Sequence, residues 1–291
     1  MGYMGYGMKR IAVTGANGYL GKQIISTFLS RGIKIFPIVR NQNNSNEIVC
    51  DLTDKESVEK AIISNNIDTI IHCAAMVPKK WEQYDEDNCY NQNIIMLQNI
   101  AHEKLKRLIF CSSMTVYGVD AEGMIDESSA TSASNAYSKS KLDCEEWLQK
   151  KYKGDYVIAR LPGLFGGSRQ SGLIYNLILS LSKQELPELV KEPPAWSALH
   201  VDDAADLMYR LATFPLENNI VCNLGYGIPQ SIYRLLLNVM ALMKLDDFPV
   251  QNISDNWVCL NINRQLRNIG FTSRDWFQRL AQEISTTENI S

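Results

Sequence analysis

Only three histidines occur in the 291 residues, His72, His102 and His200, and they stand far apart. No HxxxH or HExxH spacing is present, so a zinc site is not expected and no metal is assigned. The seven cysteines form an odd set with no CxxC pair. That is the usage of free thiols in a reducing cytoplasm, and several sit in apolar runs as small hydrophobes. Charge of one sign is also lacking. Lys and Arg number 29 against 32 Asp and Glu, for a net charge of −3. The summed charge points neither to nucleic acid nor to an anionic membrane. No apolar run approaches the ~18 residues of a membrane span. The first residues, "MGYMGYGMKRIAV", have no long apolar stretch before a small-residue cleavage site, so a secretory signal is not read there. Residues 1–7 read as a leader ahead of the fold. Repeats and low-complexity tracts are missing. What remains is 45% hydrophobic and 21% charged, enough for a full-sized core. The length suits one large domain, or a domain with a lobe.

The first two-thirds alternates strand-like and helix-like segments. "RIAVTG" is a short apolar run, "YLGKQIISTFLSRG" has helical spacing, and "IKIFPIVR" is strand-like despite Pro37. "DKESVEKAIISNN", "DTIIHCAA", "NIIMLQNIAHEKL", "KRLIFCSS", "AYSKSKLDCEEWLQKKY" and "YVIARLPG" continue the alternation. Such a pattern predicts a parallel sheet covered on both faces, and right-handed crossovers make it doubly wound. After Gly163 the pattern changes. "LFGGSRQSG" reads as a loop and "LIYNLILSLSKQEL" as a helix. "SALHVDDAADLMYRLATF" returns to a strand and helix, with Asp202 and Asp203 expected to open and cap that helix. "NIVCNLGYG" is strand-like, "SIYRLLLNVMALMKL" and "RDWFQRLAQEI" are helical. The predicted division is a main sheet domain of residues 1–163 plus 197–225 and a small lobe of 164–196 plus 226–291.

"TGANGYLG" puts Gly15, Gly18 and Gly21 directly after a strand and at a helix start. Glycines there permit the turn and let a pyrophosphate approach the backbone, and the helix N-terminus offers N–H donors. The second strand ends "PIVRNQ", with no acid for a ribose 2′-hydroxyl and with Arg40 in place to accept a 2′-phosphate. The expectation is NADP, with NAD as the alternative.

With "TGANGYLG", "CDLTD", "HCAA", "CSSMTVYG", "YSKSK", "RLPGLFG" and "HVDDAA" in this order, residues 9–225 resemble the extended short-chain dehydrogenase/reductases. These are NAD(P)-dependent sugar epimerases, dehydratases and reductases. The resemblance implies a Rossmann-type α/β fold, a bound dinucleotide and a substrate held against a C-terminal lobe. It implies cofactor contacts from Gly15, Asn17, Gly18, Tyr19, Leu20 and Gly21. Asp51 and Leu52 would meet the adenine; Cys73, Ala74 and Ala75 would run along the cofactor; Pro162 would lie near the nicotinamide. Asn93 matches a structural asparagine. Ser113, Tyr137 and Lys141 match the catalytic residues. His72 and His200 read as packed structural residues within family motifs.

The chemistry explains these residue types. Hydride transfer to a ketone needs a proton donor at the forming alkoxide, and a tyrosine spaced four residues from a lysine shares a helix face with it. An ammonium 4 Å from a phenolate attracts it by ~4 kcal/mol at an effective dielectric of ~20. A serine hydroxyl can orient the carbonyl oxygen. The chain departs from the family where the substrate would sit. Met114 and Thr115 stand where sugar dehydratases carry an Asp-Glu pair. Gly163 stands for an asparagine, and Trp196 for an arginine, of sugar-nucleotide members. Arg169 could supply the replacement charge. The reading is a cytoplasmic NAD(P)-dependent enzyme acting at a secondary alcohol or ketone of a sugar-like, nucleotide-activated substrate, leaning to a ketoreductase. Alternatives are a sugar 4-epimerase, a reductase of a non-sugar carbonyl compound, and a non-catalytic NAD(P)-binding sensor. A homodimer is expected from the resemblance, with Leu142, Trp147 and Leu148 either as its apolar contacts or, equally, packed on the sheet.

Overall fold

The structure, a computed structural model, describes residues 9–77, 86–185, 187–217, 219–245, 252–262 and 276–288, together with 249, 266, 267 and 269. The chain runs through β1 (Ile11–Thr14), α1 (Tyr19–Ser30), β2 (Ile35–Val39), β3 (Ile48–Val49), α2 (Lys55–Ser64), β4 (Thr69–His72), α3 (Glu86–Ile100) and β5 (Arg107–Ser113). A 3₁₀ turn (Met114–Tyr117), β6 (Gly123–Ile125), α4 (Ala136–Lys151), β7 (Tyr156–Leu161) and β8 (Gly163–Phe165) follow. Then come α5 (Leu173–Ser182), β9 (Ala198–His200), α6 (Val201–Thr213), β10 (Ile220–Asn223), α7 (Ile232–Leu242), β11 (Val258–Leu260) and α8 (Trp276–Glu288).

Seven strands form one parallel sheet in the order β10-β7-β5-β4-β1-β2-β3. Successive residues of a strand feed opposite faces. Ile11, Val13, Ile71, Ile109 and Val157 enter one core with Phe28 and α6; Ala12, Ile70, Leu108, Phe110 and Ile158 enter the other with Leu97 and Leu148. Both faces are therefore apolar, as a parallel sheet sandwiched between helices requires. After β3 the chain crosses back to the far side of β1, so the order reverses between β1 and β4. Ligand crevices in such sheets open outside the carboxyl ends of the strands at that reversal.

Pro37 stays inside β2, where the pairing to β3 begins only at Ile38. The loop predicted at "LFGGSRQSG" begins instead as β8, with Leu164 opposite Leu199 and Phe165 opposite His200. β3, β6 and β11 were not predicted; strands of two or three residues carry no period to read. α3 ends at Ile100, short of the predicted stretch, and the "RD" opening the last predicted helix lies outside the described residues. The cap of α6 is His200, whose Nδ1 accepts from Asp202 N at 3.2 Å. Asp202 and Asp203 sit in the first turn instead, where their charge favours the helix end and pairs with Arg279. α5, α7 and α8 pack on one another, and β11 pairs with β6. Leu148 is fully buried under the sheet and offers no surface to a partner; Leu142 and Trp147 are half-buried.

Candidate active site

A cleft of about 500 Å³ lies over the carboxyl ends of β1, β2 and β4. Its walls include Gly15, Asn17, Gly18, Arg40, Asp51, Leu52, Cys73, Ala74 and Ala75. Gly15 has φ +65°, and a Cβ there would lie 2.8 Å from Ala74 N. Gly18 caps α1 without a side-chain bond, so the first N–H groups of the helix stay open to an anion. Gly21 is not among the residues lining this cleft; it sits behind the loop, where a Cβ would be 2.2 Å from Gly15 O. Tyr19 and Leu20 turn to a second cavity, and Tyr19 donates to Gly166 O at 2.5 Å. Arg40 is exposed at the end of β2. Bonds from Thr53, and more weakly the Arg40 charge, hold the Asp51 carboxyl below its usual range.

Two buried side chains brace the loop after β4. His72 is driven down to about pKa 3, first by burial and then by the Lys141 charge, so it is neutral. It pairs with Thr14 Oγ1 at 2.8 Å, and Thr14 Oγ1 accepts from Ala74 N at 3.2 Å. Asn93 Oδ1 accepts from Met76 N at 2.8 Å, while its Nδ2 donates to Ser140 Oγ on α4 at 3.0 Å. The cofactor loop and the helix carrying Tyr137 are thus tied together. The missing Cβ atoms, the open helix end and the ribose-side charges fit a dinucleotide, which Gly15, Asn17, Gly18, Arg40, Asp51, Leu52 and residues 73–75 would hold.

The second cavity, about 600 Å³, shares Cys73 and Ala75 with the first. It brings together Ser113, Met114, Thr115, Tyr137, Lys141, Pro162, Gly163, Arg169 and Trp196. Every residue predicted for catalysis or substrate contact therefore lines one space. Asn135 opens α4 by accepting from Ser138 N at 2.9 Å in a reciprocal capping box, which sets where Tyr137 begins its turn. Lys141 is 3% exposed, donates to Cys111 O at 2.8 Å, and lies 5.7 Å from the centroid of the Tyr137 ring. Its ammonium is anchored by a strand-end carbonyl beside the phenol, in a site where water does little to screen it. One turn further along α4, Glu145 is fully buried and grips Arg160 through three contacts of 2.6–3.1 Å, and Ser112 donates to the same carboxylate. This network fixes the strand end that carries Ser113.

The two departures from the family at Gly163 and Trp196 are linked in space. A Cβ at Gly163 would stand 3.2 Å from Ser197 O and 4.0 Å from Trp196 Nε1. Trp196 lines the cleft and also packs at 6.5 Å from Trp276. The Arg169 guanidinium sits 5.4 Å above the Tyr19 ring, between the glycine loop and the substrate side. Sequence reasoning missed Met76, Met96 and Asn43 in the first cleft and Val77, Val119 and Pro194 in the second. All but Met96 come from irregular segments, which carry no periodic signal. A bound dinucleotide would supply the hydride donor or acceptor; the chain supplies a tyrosine able to give or take a proton, a fixed cation beside it, and a serine hydroxyl at the same space.

Fold and site define a Rossmann-type dinucleotide-binding protein with a second cleft, lined by Ser113, Tyr137 and Lys141, beside the nucleotide crevice. More narrowly, the chain belongs to the NAD dependent epimerase/dehydratase family, an enzyme family whose model matches residues 11–225. It is 29% identical over 279 residues to the GDP-6-deoxy-D-talose 4-dehydrogenase of Aggregatibacter actinomycetemcomitans, covering 87% of this chain and 90% of that relative. It is 30% identical over 170 residues to a UDP-glucose 4-epimerase of Cyamopsis tetragonoloba, but that match spans only 50% of this chain and 48% of the relative. Among solved structures, the Bordetella bronchiseptica enzyme WbmG in complex with NAD superposes with a TM-score of 0.77 at 19% identity, over 99% of this chain and 96% of that one. The Thermotoga maritima UDP-glucose 4-epimerase with UDP-glucose gives 0.76 at 17%, over 97% and 99%. These likenesses concern the fold. Among the described residues no helix is long and apolar enough to cross a membrane, and no group of three or more His, Cys, Asp or Glu could hold a metal ion.

Proposed function

We propose that this protein interconverts a secondary alcohol and a ketone on the sugar of a nucleotide-activated hexose, and that its net reaction is ketone reduction. The carrying observation is the common cavity of Ser113, Tyr137 and Lys141, directly beside the dinucleotide crevice. Tyr137 gives the proton, Lys141 stabilises the phenolate left behind, and Ser113 bonds the reacting oxygen. Net redox chemistry at a sugar carbon, as against epimerisation, is in keeping with the relative matched over nearly its full length, a 4-dehydrogenase of a 6-deoxy sugar; the reductive direction is our own reading. The apolar wall of Val77, Met114, Val119 and Ala195 suits the methyl group of such a sugar better than a hydroxymethyl. Arg40 supports NADP(H) as the released cofactor, and Arg169 supports a contact to the diphosphate. Of the proposed lobe of residues 164–196 and 226–291, Leu164, Arg169, Pro194, Ala195 and Trp196 line the substrate side. A homodimer would use the outer faces of α3 and α4, where Ile95 is 41% exposed.

A second reading, 4-epimerisation with retained cofactor, is favoured by the half-length matches to UDP-glucose 4-epimerases. Incubation with NADPH or NADH and a panel of UDP-, GDP-, CDP- and dTDP-sugars and their 4-keto-6-deoxy forms, read by mass spectrometry, separates the two. Reduction adds two mass units; epimerisation adds none and is seen by chromatography. Tyr137→Phe keeps dinucleotide binding and loses turnover. Undiminished turnover by that variant would overturn the assignment.

A further inference from the structure

Ser113 closes β5 and caps the 3₁₀ turn that follows it. Its Oγ accepts twice from the same residue, from Thr115 N at 3.2 Å and from Thr115 Oγ1 at 2.9 Å. A hydroxyl has two lone pairs and one proton. With both lone pairs engaged, the proton is the one hydrogen-bonding function Ser113 has left. Ser113 is 9% exposed and lines the substrate cavity, as does Thr115, which is exposed to it. Thr115 stands where the related sugar dehydratases carry an acidic side chain, yet its own hydroxyl proton is committed to Ser113.

We infer that Thr115 is a positioning residue that commits Ser113 to donating its proton to the reacting oxygen, an inference that rests on the hydride-transfer reading above. In the reductive direction, Ser113 O–H polarises the ketone and steadies the growing alkoxide while Tyr137 delivers the proton. In the oxidative direction the effect is on orientation. A substrate hydroxyl that can only accept from Ser113 must point its own proton at Tyr137, the base. If Ser113 were free to accept, the substrate proton could point to Ser113 and be lost to transfer. Donation from Thr115 into Ser113 Oγ also strengthens the outgoing Ser113 bond, since chained hydrogen bonds polarise one another.

The test compares Thr115→Val, which keeps the shape and the backbone N–H, with Thr115→Ser, Ser113→Ala, the Thr115→Val/Ser113→Ala pair and Tyr137→Phe. Turnover is measured on UDP-glucose and on a GDP-4-keto-6-deoxyhexose with NADPH and NADH, and UDP binding by calorimetry. Loss of one orienting hydrogen bond predicts a fall in kcat of about 3- to 10-fold for Thr115→Val, with KM and UDP affinity within about twofold. Thr115→Ser restores kcat. In the Ser113→Ala background Thr115→Val has no further effect, because the group it acts through is gone. An unchanged kcat, a change in KM or UDP affinity alone, or a loss that adds fully to that of Ser113→Ala would each overturn the inference. If Tyr137→Phe is inactive while Thr115→Val behaves as wild type, only the role of Thr115 falls. If Tyr137→Phe turns over normally, the hydride-transfer reading falls with it.

Discussion

Glu145→Gln removes one charge from a buried pair and leaves the shape. Glu145 is 0% exposed and Arg160 5%, and the guanidinium meets the carboxylate at 3.1, 3.1 and 2.6 Å. The remaining contacts of Arg160, Tyr117 Oη at 2.8 Å and Glu127 O at 3.4 Å, are neutral and cannot balance its charge. Breaking such a pair from one side costs about 3–5 kcal/mol, because the surviving ion stays buried without a counter-charge. At roughly 2.1 cal/mol/K of unfolding entropy per residue, a chain of this length melts with about 0.6 kcal/mol/K, so Tm should fall by about 5–8 °C. Replacing both partners by apolar residues, Glu145→Leu with Arg160→Met, should recover most of that loss, since the cost lies in the orphaned charge. Differential scanning calorimetry of the wild type, the single variants Glu145→Gln and Arg160→Met, and the double variant reads this directly. A single variant that melts within 2 °C (about 1 kcal/mol on that scale) of wild type, or a double variant worse than either single one, would refute the reasoning. Activity should fall along with stability in Glu145→Gln, because Ser112 loses its carboxylate acceptor next to Ser113.

Three other outcomes are expected. Gly15→Ala forces a Cβ to within 2.8 Å of Ala74 N at φ +65°, so dinucleotide affinity by tryptophan fluorescence should drop at least about tenfold; unchanged affinity would refute the close approach of loop and β4. Arg40→Glu should weaken NADPH at least about tenfold more than NADH, and equal effects on both would remove Arg40 from the 2′-phosphate. His72 is neutral in the fold down to about pH 3, whereas in the unfolded chain it takes a proton near pH 6.5. Its contribution to stability is therefore greatest above pH 6.5 and lost as pH falls toward 3. Between pH 6.5 and 4.5 this group alone should remove about 2–3 kcal/mol. Urea midpoints of wild type and His72→Gln at those two pH values check it; the same drop in both proteins would refute the assignment.

Much of this was legible without coordinates, because it is local. The alternation of buried strands with amphipathic helices, the glycine turn after β1, and the four-residue spacing of Tyr137 and Lys141 are all set within a few residues of chain. Periodicity then specifies a doubly wound parallel sheet, and topology places the carboxyl ends of β1, β4 and β5 side by side, which brings residues 15–21, 73–75 and 113 together. Short strands escaped notice, since β3, β6 and β11 exist only through their partners. The cap of α6 was misread because His200 takes that place only once Glu283, at 3.0 Å, and the packed α8 hold its ring.

The substrate side is a different matter. Gly163, Arg169 and Trp196 were flagged by their difference from related sequences, but their meaning is spatial. Gly163 is compatible with its surroundings because Ser197 and Trp196 occupy the room of a side chain, and Arg169 gains a place because Tyr19 reaches across to Gly166. The pairing of Thr115 with Ser113 likewise depends on the 3₁₀ turn that folds one hydroxyl back on the other. The sequence by itself determined the sheet and the nucleotide loop, since each is encoded by short-range pattern, and its family motifs pointed to the residues proposed to react. The shape and polarity of the substrate cleft were decided only by the tertiary structure, because they arise from contacts between segments far apart in the chain.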